Sequence, residues 1–121
     1  MLGRILRYGF LAVALLCAAA WPGKANNRDF TVINATGSMI QSVWLSTFND
    51  NQWHRVRNLA NLSDGDSTDV SFDSSGPCRV QLRVVMRDGT NHDFTDGFNL
   101  CTVSIITVYF ANDGSMIADY K

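Results

Sequence analysis

The stretch CRVQLRVVMRDG, Cys78 to Gly89, constrains the fold of this chain more than any other. Arg79, Arg83 and Arg87 lie four apart and would share one stripe of a helix, yet Val80, Leu82, Val84 and Met86 alternate strictly with them. The Asp88-Gly89 pair decides between the two. Flanked by strand-like runs, it predicts a two-residue hairpin loop whose residues both tolerate positive φ, and a hairpin requires a strand to enter it. On a strand the even positions form the buried face, and Arg79, Gln81, Arg83, Val85 and Arg87 form the outward one.

The rest of the chain follows the same grammar. It contains no Glu, and after Ala25 alanine is sparse while β-branched residues, Asn, Asp, Ser and Gly dominate, which suits short strands joined by tight turns. Strands are expected at 29–35, 39–46, 67–72, 78–86, 90–95, 102–110 and 115–120, and ANDGS repeats the hairpin device before the last. The expected fold is therefore all-β, a small antiparallel β-sandwich of about seven strands. The irregular piece from Thr47 to Asp66 is too long for an ordinary connection and should hold a turn of helix or act as a functional loop.

Residues 1–25 read as a signal peptide. Arg4 and Arg7 precede the apolar run YGFLAVALLCAAA, which is too short for a stable span, and small residues permit cleavage after Ala20 or, as favoured here, after Ala25. Leu16 stands where lipoprotein processing at Cys17 would need a small residue. The domain at 26–121 is then periplasmic or secreted, with no membrane span. It carries seven basic against eleven acidic side chains, a net charge of −4, which argues against nucleic acid as partner. Its two cysteines, Cys78 and Cys101, are most simply a disulfide in an oxidising compartment, a catalytic thiol or metal ligand being the alternatives.

Several groups are candidates for chemistry. The outward arginines Arg79, Arg83 and Arg87 suit carboxylate or sulfate recognition, or else pair with aspartates of neighbouring strands. Asp64, Asp66 and Asp69 offer hard oxygens for calcium, although Ser75 stands where an EF-hand needs Glu; a site drawing on Asn49, Asp50 and Asp64 from separate loops is the other form. Trp44 is assigned to the core, and Trp53, beside His54 in the long segment, to a surface that stacks a sugar or another apolar ligand. With only His54 and His92 and no nucleophile or metalloprotease motif, the chain reads as a binding module rather than an enzyme and needs no cofactor. An envelope-acting hydrolase and a calcium-binding structural protein are the alternatives. Asn34 and Asn61 head glycosylation sequons that matter only in a eukaryotic secretory pathway.

The segments DFTVINATGSMIQSVWLS, Trp53, LSDGDSTDVSF, Cys78 with VVMRDG, and FNLC together resemble a group of small exported bacterial proteins. These share D-F-x-L-x-N-x-T-G-x-x-I-x-x-V-Y-V-S, a W-G-x-D loop, a C-x-W-D-L-x-V strand ending in D-G, and N-L-C, a likeness spanning 29–110. The group is generally of unassigned function. The resemblance implies export, a β fold and the Cys78–Cys101 pair without supplying an activity; the partner expected from the binding-module reading is an unidentified ligand or envelope protein. Val80 and Gln81 depart from the Trp-Asp of the group, and His54 and Val56 from its Gly and Asp, so any ligand held by those aspartates elsewhere is lost or altered here.

Overall fold

The computed structural model describes residues 28–47, 52–71 and 76–121; the signal segment, Asn49, Asp50 and Ser75 lie outside them. Among the described residues eight strands form: β1 (Phe30–Asn34), β2 (Ile40–Thr47), β3 (His54–Arg55), β4 (Ser67–Val70), β5 (Arg79–Met86), β6 (Asn91–Asn99), β7 (Ile105–Phe110) and β8 (Met116–Tyr120). They make two four-stranded sheets, ordered β4-β1-β7-β8 and β3-β2-β5-β6, in a sandwich-like arrangement. No helix among the described residues is long and apolar enough to cross a membrane.

The core follows from the alternation. Val80, Leu82, Val84 and Met86 of β5 are each at most 4% exposed, and with Val43 and Leu45 of β2 they meet Phe30, Val32, Ile106 and Val108 of the other sheet. One pair departs from the expected antiparallel pattern: β1 and β7 run parallel, with Thr31 opposite Ile105 and Asn34 opposite Val108. No hairpin links these two strands. β7 enters through the segment after β6, where Leu100 and Val103 are buried, so its direction is set by that crossover rather than by a tight turn.

The β5–β6 hairpin is real but its loop has three residues, not two. Met86 N–H donates to Thr90 O and Gly89 N–H to Met86 O, and only Gly89 takes positive φ, at 92°. Asp88 stays at negative φ because its Oδ1 accepts both the N–H and the hydroxyl of Thr90, 3.0 and 2.7 Å, which closes the turn without left-handed backbone. Asp113, Gly114 and Ser115 repeat the arrangement before β8. These hydrogen bonds hold the Asp88 and Asp113 carboxyls below the usual range, through the backbone N–H of Thr90 first for Asp88 and the Ser115 hydroxyl first for Asp113.

The described part of the long segment, residues 52–66, contains no helix. Val56, Leu59 and Leu62 are spaced like a helical face, but the backbone hydrogen bonds run to the edge of β2: Val56 N–H to Val43 O, Asn61 N–H to Gln41 O, and Leu62 with Ile40 in both directions. His54–Arg55 is thereby a short edge strand, and the three apolar side chains plug the core. The segment is tied down at its far end by Asn34, fully buried at 0% exposure. Asn34 Nδ2 donates to Ser38 O (2.7 Å) and Leu62 O (2.9 Å), while Oδ1 accepts from Thr36 N–H (2.9 Å) and its hydroxyl (2.7 Å). An amide so placed has no room for a glycan, which removes the Asn34 sequon as a site in the folded chain.

Candidate functional site

The candidate site is the outer face of the β3-β2-β5-β6 sheet. Directly opposed residues on neighbouring strands point to the same side, so one row crosses this face: Arg55 of β3 opposite Trp44 of β2, Trp44 opposite Arg83 of β5, and Arg83 opposite Asp93 of β6. Arg83 forks onto Asp93, Nε to Oδ1 at 2.8 Å and Nη2 to Oδ2 at 2.9 Å. The guanidinium carbon also lies 4.2 Å from the ring centroid of Trp53, a cation–π contact. Trp53 precedes β3, so to reach Arg83 on β5 it must cross β2.

Trp44 belongs to this face and not to the core. It is half-buried, and its Nε1–H donates 3.0 Å to Ser42 Oγ on the same strand. The expectation fails because the β2–β5 register shifts between Ile40 and Ser42. A bulge moves the side-chain phase by one, so Ile40 faces inward with Val43 and Leu45 while Ser42, Trp44 and Ser46 face out. The core assignment follows the size of the indole, whereas the apolar Val43 and Leu45 on either side of Trp44 carry its outward phase and Ile40 before the bulge carries the opposite one.

The arginine stripe divides by partner. Between Val80 and Leu82 the β5–β6 register slips, with Gly97 at φ 76° on the β6 side. Two outward side chains satisfy the carbonyls so displaced: Arg79 Nε donates to Asp96 O (3.0 Å) and Gln81 Nε2 to Thr95 O (3.1 Å). Arg79 therefore serves the bulge and Arg83 is committed to Asp93, as the pairing alternative holds. Arg87 lies in the hairpin loop, away from the row. Arg55, a short-strand residue with no sequence signal to single it out, is exposed, and its side chain makes no hydrogen bond or ion pair among the described residues.

The Arg83 hydrogen bonds, followed by its charge, pull the Asp93 carboxyl below its ordinary value, against the opposing effect of burial, and in turn raise the Arg83 guanidinium. Because Asp93 is depressed, the pair's contribution to stability is present above the ordinary Asp pKa of about 3.9 and is lost as pH falls through the lowered value. With the side chains 28% and 32% exposed, that contribution should not exceed about 1 kcal/mol. Protonation nonetheless frees Arg83 from Asp93, so Trp53 fluorescence should change in a single step below the ordinary Asp range while the far-ultraviolet dichroism holds. A step at or above pH 4 would contradict the pairing.

Among the described residues the acidic groups do not converge, while Asn49 and Asp50 of the alternative calcium site lie outside them. Asp64 Oδ1 accepts the Gly37 N–H (2.8 Å), Asp69 Oδ1 accepts the Thr31 hydroxyl across the β1–β4 pair (2.8 Å), and among the described residues no three His, Cys or acidic groups are placed to hold a metal. Asp66 lies in the turn whose carbonyl accepts Asn34 N–H. The Asp64 carboxylate thus ties its turn to the loop after β1, and the Asp69 carboxylate joins β4 to β1. His54 and His92 sit on β3 and β6, opposite edges of one sheet, and His92 packs edge-on against Phe110 at 5.3 Å. They share no site. Two clefts lie off this face, about 380 Å³ beside Asn58–Leu62 and about 370 Å³ beside Met39, Met86 and Phe110.

No protein-family model matches the chain, and no curated protein matches it. An NMR structure of a protein from Eubacterium rectale is similar, with a TM-score of 0.54 and 16% identity over 76% of this chain and 85% of that one. At that identity the likeness supports the two-sheet fold alone.

Proposed function

We propose that this chain is an exported, disulfide-bonded binding module of the bacterial envelope that takes its ligand on the outer face of the β3-β2-β5-β6 sheet. One observation carries the reading: Trp44 and Trp53 lie on the outside of the sheet with the Arg83 guanidinium against the Trp53 ring. A domain this small gains most by burying its largest side chains. Two indoles outside the core, organised by a bidentate arginine, suit recognition of a ring-bearing ligand. Location in the periplasm or the medium rests on the character of residues 1–25 and on the disulfide.

The test is binding of the purified protein to an immobilised panel of envelope polysaccharides and anionic polymers. Trp53→Ala and Arg83→Ala should each weaken the retained interaction at least tenfold, as loss of an anchoring aromatic or arginine does. Wild-type affinity in both variants would remove this face as the site, and a wild-type protein that retains nothing from the panel would count against binding as the function.

A further inference from the structure

Within that reading, the outer face has one open position and one filled one. One face of Trp53 is covered by Arg83, whose charge is neutralised by the bidentate pair it makes with Asp93 through Nε and Nη2. Arg79 is spent on the Asp96 carbonyl. Trp44, by contrast, stands between two arginines in the same row, and the one on its other side, Arg55, is exposed and uncommitted among the described residues. Its Nε1–H is turned onto Ser42 of its own strand, so the indole offers a ring face and not a donor.

A ring face and an adjacent free guanidinium ask for a specific chemistry. The π-face carries partial negative charge and favours the slightly positive C–H groups on the flat side of a saturated ring. The guanidinium favours a planar, two-oxygen anion at about one strand spacing from that ring. We propose that Trp44 and Arg55 form a subsite for an acidic sugar, a pyranose bearing a carboxylate, which stacks on Trp44 and places its carboxylate on Arg55. The Trp53–Arg83–Asp93 assembly is the neutral, pre-organised wall beside it. This rests on the outer face being the ligand surface, and it names what that surface takes.

Three probes separate the elements of the proposal: tetragalacturonate, its fully methyl-esterified form with the same rings and no charge, and tetra-aspartate with charges and no rings. Binding is read by tryptophan fluorescence and by the Trp44 indole N–H resonance. The acid oligosaccharide should bind at least tenfold more tightly than the ester, as a charge-assisted hydrogen bond requires, and should bind more tightly than tetra-aspartate. Arg55→Gln, an exposed and conservative change, should bring the acid down to the affinity of the ester; Trp44→Ala should weaken both. Equal affinity for acid and ester, equal affinity for tetra-aspartate, or an acid preference that survives Arg55→Gln would each overturn the acidic-sugar subsite while leaving the face as a binding surface. Failure of both oligosaccharides to bind the folded wild-type protein would overturn the subsite and count against the face itself.

Discussion

Asn34→Ala should destabilise the domain by about 3 kcal/mol, a large part of the margin of a domain this size. The side chain is fully buried and uses all of its polar capacity: two donors to Ser38 O and Leu62 O, and one oxygen shared by the N–H and hydroxyl of Thr36. Its backbone is held as well, N–H to Asp66 O and carbonyl to Gly65 N–H. Truncation leaves the Leu62 carbonyl with the Ile40 N–H alone, removes the buried acceptor of the Thr36 N–H and hydroxyl, and unties the 62–66 turn from the loop after β1. Asn34→Asp should be worse at neutral pH, since it aims a carboxylate at two carbonyls, and the sign of its pH dependence is diagnostic. Burial raises the folded pKa of that carboxyl above its unfolded value, so the penalty is smallest below about pH 4 and grows as pH rises. Urea denaturation of both variants at pH 4 and pH 7 checks this. Equal destabilisation by Asp at both pH values, or an Ala variant within about 0.5 kcal/mol of wild type, the range of ordinary surface changes, would show that Asn34 does not hold the two loops together.

Reducing the Cys78–Cys101 disulfide should cost about as much. The bridge closes a sequence separation of 23, for which chain entropy alone gives about 3 kcal/mol, or a fall in melting temperature of roughly 15 °C for a domain of this length. Its position argues against a smaller loss. It joins the start of β5 to the segment that carries Leu100 and Val103 into the core, and Leu100 N–H donates to Cys78 O. Arg28 holds the same corner through Pro77 O and the Cys78 sulfur. Thermal unfolding of the oxidised protein against Cys78→Ser/Cys101→Ser reads the effect, and a shift of less than about 4 °C, the equivalent of 1 kcal/mol or less, would mean that the bridge adds little beyond the packing around it.

Much of the fold was legible in the chain. Each expected strand has a counterpart, because each run is rich in β-branched or apolar residues and several are bounded by turn residues whose action is local: Asp88 and Asp113 close their turns on the residue two places on. What escaped was β3, a strand of two residues with no period to read, which exists because residues 54–62 hydrogen-bond to the edge of β2. The parallel β1–β7 pair escaped for a related reason, since its partners come from opposite ends of the chain.

The site divides along the same line. The outward direction of Arg79 and Arg83 was determined by the sequence through strand alternation, and the pairing of Cys78 with Cys101 was the simplest use of the two cysteines in the expected mature domain; neither needs reference to any distant residue. Which arginine is taken and which is free was decided only by the tertiary structure. Asp93 neutralises Arg83, a slip in the β5–β6 register engages Arg79, and a bulge in β2 turns Trp44 out beside Arg55. A bulge displaces the phase of every side chain beyond it, and its position depends on how two strands fit each other, which neither strand encodes alone.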